Sequence, residues 1–187
     1  MKVQDPKGAP IPDAKVVFFD EHQRKFFSSD TSDKGLCRFT SSAPTNWAVP
    51  GRVLVFKKDF ALGGGAVKKG ANSFQLSPPG SLRGICKAAS GKAAAGTKVR
   101  VIQIMPQENA KPLSGMMVLF RSPLEEQFST VTDAQGRWSF SGVPEKGRAL
   151  VEFEHADYTL ERVIIPLGVE FPLLMRPKKP AEPPVGD

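Results

Sequence analysis

The feature that most constrains this chain is an order of residues that runs through it twice. Thr31-Ser32-Asp33-Lys34-Gly35-Leu36-Cys37-Arg38-Phe39 returns as Thr132-Asp133-Ala134-Gln135-Gly136-Arg137-Trp138-Ser139-Phe140. Gly51-Arg52-Val53-Leu54-Val55 returns as Gly147-Arg148-Ala149-Leu150-Val151, and Asp59-Phe60-Ala61-Leu62 as Asp157-Tyr158-Thr159-Leu160. Asp157 and Gly168 both stand 98 positions after their counterparts Asp59 and Gly70. Several independent landmarks in one order imply duplicated structure, and two copies are too few for a solenoid. Two tandem domains are predicted.

Each copy reads as short strands joined by turns. Thirteen Phe against one Tyr, with 17 Gly and 17 Pro in 187 residues, argue for strands rather than long helices, whose interiors tolerate neither Gly nor Pro. Apolar runs at Val16 to Phe19 and Gly51 to Phe56 follow turn-rich stretches, and Asn72 to Leu76 closes the first copy. Gly8, Gly35, Gly91 and Gly136 stand where turns require a positive φ, so they are structural turn residues. In the second copy Leu82 to Lys87 alternates as a first strand and Val169 to Leu174 is the last.

The copies differ in two places. The first begins at Met1-Lys2-Val3-Gln4-Asp5, half of the strand that the second shows in full, and such a short edge invites another strand to complete it. Two candidate second strands compete in the later copy, Thr97 to Ile104 and Met116 to Phe120. Gly8 and Gly35 are 27 positions apart and Gly91 and Gly136 are 45 apart, a surplus read as an insertion around 93–111. The predicted units are 1–78, 79–176 and a Pro-rich tail or linker at 177–187.

The second copy carries Gly84, Gly91, Thr132, Asp133, Gly136, Trp138, Phe140, Val143, Pro144 and Tyr158, and the first carries Asp5, Gly8, Pro10, Ala14, Thr31, Gly35, Phe39 and Phe60. In this order they resemble the carboxypeptidase regulatory-like domains of the transthyretin-like (prealbumin-like) sandwich group. The Ser41 to Pro50 segment is longer than that family's short link. The resemblance implies an all-β chain of two tandem Greek-key antiparallel β-sandwich domains, transthyretin-like or Ig-like in build. It also implies an extracellular or cell-envelope setting and carries no active site.

Catalytic chemistry finds little support in the residues. Hydrolysis needs a nucleophile with its base or paired carboxylates, and the two histidines, His22 and His155, lie apart in charged surroundings. There is no close ligand pair for zinc, and the acidic turns at Asp30-Thr31-Ser32-Asp33 and Thr132-Asp133 lack the carboxylate spacing of a calcium loop, so no cofactor is expected. Gly63-Gly64-Gly65 and Lys68-Lys69-Gly70 lack the Gly-Lys-Ser/Thr order of a phosphate loop and read as a flexible hairpin tip. Cys37 and Cys86 read as small core side chains with free thiols.

The net charge of +7 is carried by 26 Lys and Arg scattered in pairs at most, which suits solvated strand faces better than a nucleic-acid footprint. No stretch approaches the roughly 20 apolar residues of a membrane span, and no signal peptide follows Met1. The expected function is therefore a non-catalytic extracellular or envelope module for structure or adhesion. Its partners would be other protein subunits or further copies joined through strand edges. The alternative is a carbohydrate-binding accessory module of a larger secreted protein or enzyme, with Trp47 stacking on a sugar beside Arg52, Lys57 and Lys58.

Overall fold

A computed structural model describes residues 1–20, 25–39, 51–67, 70–108, 111–112 and 117–178. The first six strands are β1 (Lys2–Gln4), β2 (Lys15–Asp20), β3 (Lys25–Asp30), β4 (Gly51–Phe56), β5 (Gly63–Val67) and β6 (Ser73–Gln75). They form a four-stranded antiparallel sheet in the order β3-β2-β4-β5 and a two-stranded parallel pair β1-β6. The remaining strands are β7 (Gly80–Ala88), β8 (Lys98–Glu108), β9 (Lys111–Pro112), β10 (Met117–Val118), β11 (Ser129–Val131), β12 (Arg137–Val143), β13 (Gly147–Glu154), β14 (Glu161–Pro166) and β15 (Glu170–Met175). Here a sheet β10-β8-β13-β14, with β11 and β9 also on β8, faces a three-stranded sheet β12-β7-β15.

The fold is all-β and its sheets pack face to face. Val3, Ile11, Ala14, Val16, Phe18, Cys37, Val53, Val55, Val67 and Leu76 fill the space between the first two sheets. Leu82, Cys86, Val99, Val101, Trp138, Phe140, Val151, Phe153, Leu173 and Met175 fill the second. The sheets are not wholly antiparallel, as the sequence led us to expect. β1 runs parallel to β6 and β7 parallel to β15, so each half places its first and last strands side by side.

The two halves repeat one hydrogen-bonded corner. Thr31 Oγ1 accepts from the Ala14 N–H (2.8 Å) and donates to the Ile11 carbonyl (2.7 Å). Thr132 Oγ1 accepts from the Thr97 N–H (2.9 Å) and donates to the Ala94 carbonyl (2.7 Å). The Val3 N–H donates to Gly35 O and the Cys86 N–H to Gly136 O, each at 2.8 Å. A Cβ on Gly35 would lie 2.5 Å from Val3 O and one on Gly136 would lie 2.3 Å from Cys86 O, and both residues have positive φ, 65° and 75°. Glycine is required at both positions because neither the backbone conformation nor the space admits a side chain.

These contacts place Val3 with Cys86, Ile11 with Ala94, Ala14 with Thr97, Thr31 with Thr132 and Cys37 with Trp138. Of the two candidate second strands, Lys98–Glu108 takes the place of β2, while Met117–Val118 folds back against its far end, opposite Ile104 and Gln103. β2 passes to β3 through a hairpin closing at Asp20 and Lys25. The corresponding passage from β8 to β11 is longer and includes a 3-10 turn at Glu126–Phe128. β1 spans three residues and β7 nine. The three glycines at 63–65 are not a hairpin tip: they form most of β5, paired with Val55, Leu54 and Val53.

Candidate interaction surfaces

Strands β2 and β4 are apolar without alternation because both of their faces are covered, which removes the polar partner of each inward residue. Val16 and Phe18 point into the first core, whereas Val17 and Leu54, register partners across the sheet, belong to the same cluster as Met117, Leu124 and Phe128 of the second half. The outer face of sheet β3-β2-β4-β5 is thus a joint that caps one end of the second core. The Phe56 ring meets the Phe128 ring edge-on, centroids 5.8 Å apart and planes at 76°. Edge-to-face geometry sets the positive ring edge against the negative π-face. The Leu62 N–H donates to Gly142 O at 2.6 Å. At Gly64 a Cβ would sit 2.4 Å from Val53 O and 3.4 Å from Met117 Sδ, so the glycine leaves room for the joint to close.

The same positions in the second half are charged. Val17 lies three residues after Ala14 and Arg100 three after Thr97, so Arg100 stands in the place of Val17. Its register partner Glu152 stands in the place of Leu54, Arg162 in that of Gly64, and Glu154 in that of Phe56. Glu152 is 1% exposed and accepts from Arg100 and from Arg162, whose Nε lies 2.8 Å away. Burial alone pushes the Glu152 carboxyl up, but the hydrogen bonds and charges of Arg162 and Arg100 outweigh it and hold the group below the usual carboxylate range. Glu154 Oε2 is 3.2 Å from Arg100. The two carboxylates and two guanidiniums balance in charge, and Ile164 and Val131 lie exposed on this side of the molecule.

Of the residues singled out for ligand contact, the described ones do not converge. Trp47 lies outside the described residues, as does His22. Arg52 is half-buried near the start of β4, whereas Lys57 and Lys58 follow its end, on the order of 16 Å along the strand. Lys57 Nζ is instead 3.4 Å from Asp13 O and 4.0 Å from Asp13 Oδ2, and Lys58 is exposed. The sequence reading missed the Arg100, Glu152 and Arg162 cluster and the joint. A signal for both existed: Glu152 interrupts the apolar strand β13 where β4 carries Leu54.

His155 packs its ring 4.8 Å from that of Tyr158, and its Nδ1 accepts from the Asp157 N–H at 3.1 Å. Its Nε2 faces the Ala95 carbonyl at 3.1 Å, so the ring ties the turn after β13 to the turn before β8. Cys37 and Cys86 are buried, free thiols in separate cores. Burial pushes the Cys37 thiol up and the Cys86 thiol up to about 12, so neither is a nucleophile at neutral pH. No three His, Cys, Asp or Glu side chains gather as metal ligands among the described residues, and no described helix is long and apolar enough to cross a membrane.

No family model matches the sequence, and no curated protein matches it. Solved structures with similarity include GBS52, the minor pilin of Streptococcus agalactiae, at 12% identity over 96% of this chain and 89% of that one, TM-score 0.43. The shaft pilin SpaA of Lactobacillus rhamnosus GG is similar at 8% identity over 92% and 88% of the two chains, TM-score 0.39. The major pilin RrgB of Streptococcus pneumoniae is similar at 11% identity over 95% of this chain and 47% of that one, TM-score 0.36. With TM-scores below 0.5 these likenesses add nothing to the strands and sheets described above.

Proposed function

We propose that the chain is a non-catalytic structural module of the cell surface or cell envelope that assembles with other protein subunits. Its two tandem sandwich units, 1–78 and 79–176, are of the carboxypeptidase regulatory-like kind; Pro177 and Lys178, read from the sequence as the start of a linker, stay tied to the second unit, where the Lys178 N–H donates to Asp157 O at 3.0 Å, and residues 179–187 lie outside the described residues. The unit correspondence, Asp20 with Gln103 and Lys25 with Glu126, supports placing the surplus of the second unit between Gln103 and Glu126, which overlaps only the end of the 93–111 region. The joint carries the reading. The side chains that differ from a minimal sandwich, Val17, Leu54, Gly64, Leu62 and Phe56, serve to fix one unit against the next. A binding protein that must close on a small ligand gains nothing from such a joint, whereas a unit in a load-bearing assembly needs it.

The test is location and state in the producing cell. An antibody against the chain should label intact cells and detect it in surface fractions at masses above that of one chain. Recovery only as a free monomer inside the cell would overturn the proposal.

A further inference from the structure

The turn after β13 holds the segment that leaves β15, and His155 holds the turn. Arg176, Pro177 and Lys178 run as a strap along residues 157–159: the Thr159 N–H donates to Arg176 O at 2.8 Å, Tyr158 bridges to Pro177, and the Lys178 N–H donates to Asp157 O at 3.0 Å. Lys178 Nζ donates to Ala156 O at 2.7 Å, and the Arg176 guanidinium binds the Glu161 carboxylate through two bonds of 2.7 and 2.9 Å. The His155 side chain, 16% exposed, anchors the turn to the rest of the sandwich. Its Nδ1 accepts from the Asp157 N–H and so carries no proton, which makes Nε2 the N–H that donates to Ala95 O. The neutral ring in this one tautomer satisfies both partners.

We propose that His155 makes this strap acid-sensitive: protonation of Nδ1 breaks its bond to the Asp157 N–H and loosens Arg176, Pro177 and Lys178 from the turn. Imidazole is the side chain that changes charge between pH 5 and 8. A proton on Nδ1 meets the Asp157 N–H donor to donor. Asp157 Oδ2, which accepts such a proton once in reach, is 3.9 Å away, beyond hydrogen-bond distance until the turn moves. The Tyr158 ring, 4.8 Å from the imidazole, and the Ala95 carbonyl hold the His155 ring in both charge states. Asp157 is therefore the part that shifts, and its carbonyl is the acceptor of the Lys178 N–H. The other charged groups nearby are engaged elsewhere. Glu154 and Lys98 are register partners at the end of the β13 and β8 ladder, Glu161 is bound by Arg176, Lys178 Nζ is bound to Ala156 O, and residues 93–97 carry no charge.

The experiment is NMR on the full chain from pH 8 to pH 5, in a His22→Gln background where His155 is the one histidine. Ring nitrogen shifts should show the Nε2–H tautomer at pH 8. Amide exchange is read as protection factors, so that the intrinsic pH dependence of exchange cancels. Protection of the Asp157 and Lys178 amides should fall about 2- to 10-fold as His155 titrates, the effect of one lost hydrogen bond, whereas the Cys86 amide, bound to Gly136 O, should keep its protection. His155→Phe, which keeps a ring beside Tyr158 but offers the Asp157 N–H no acceptor, should show the low protection at every pH. Three results overturn the proposal: an Nδ1–H tautomer at pH 8, Asp157 and Lys178 protection that is constant through the titration, and a pH-dependent fall that survives in His155→Phe. The first two decide the matter if His155→Phe fails to fold.

Discussion

Replacing the corner threonines with valine, which keeps the shape and removes the hydroxyl, should destabilise the two halves by different amounts. Thr31 is 3% exposed and Thr132 5%, so water does not replace what is lost at either site. In Thr31→Val the Ala14 N–H loses its acceptor and the Ile11 carbonyl its donor. In Thr132→Val the Thr97 N–H is orphaned in the same way, but the Ala94 carbonyl keeps the Thr97 Oγ1 donor at 2.9 Å. Each buried group left unpaired costs about 1–3 kcal/mol, so Thr31→Val, with two, should lose about 2–6 kcal/mol and Thr132→Val, with one, about 1–3 kcal/mol. The assay is urea unfolding followed by tryptophan fluorescence, with the slope unchanged if only native contacts are lost. A Thr132→Val variant destabilised as much as Thr31→Val, or more, would refute the accounting. So would two variants within about 0.5 kcal/mol of wild type, the range of an ordinary surface substitution.

Other consequences are equally direct. Phe128→Ala should cost about 3–5 kcal/mol and Phe27→Ala no more than about 1 kcal/mol, although each ring stands four residues before the corner threonine of its half, because only the first is enclosed; thermal melts compare them. The raised Cys86 thiol keeps its proton in the folded state after the unfolded chain has lost it above pH 9, so stability falls as pH rises from there toward 12. Between pH 9 and 10.5 wild type should lose about 2 kcal/mol more than Cys86→Val, at 1.36 kcal/mol per pH unit, read from urea midpoints at each pH. The depressed Glu152 carboxyl acts with the opposite sign: its contribution is complete above the ordinary glutamate range and lost as pH falls through the folded value. Acid unfolding of wild type should therefore steepen relative to Glu152→Gln, and equal acid midpoints and slopes would show that the carboxylate is not held charged.

Much of the fold was legible because the repeat fixes landmarks whose roles are local. Gly35 and Gly136 read as turn residues and have positive φ, and Cys37 and Trp138 fill the same core place. The parallel pairing of β1 with β6 and β7 with β15 was not legible, since it joins strands about 70 to 90 positions apart with no turn between them to fix direction. The glycines of β5 misled for a related reason. Read one at a time they suggest a flexible tip, and only the approach of Met117 to Gly64 explains why a strand there does without side chains. The candidate surface was partly visible, because Val16 to Phe19 and Val53 to Phe56 refuse the alternation of a half-buried strand. Which neighbour covers their second face is a fact of tertiary packing.

The side-by-side first and last strands have a mechanical consequence. The chain enters each half at one end of a parallel pair and leaves it at the opposite end, so a pull on the two termini slides those strands past each other along their length. Every bond of the ladder is then strained together, in shear, instead of one after another as in an opening zip. The ladder of the second half runs from Arg83 and Glu170 to Ala88 and Met175, whereas that of the first reaches only from Lys2 and Ser73 to Gln4 and Gln75. Under tension the first half yields before the second, and the chain lengthens in two steps.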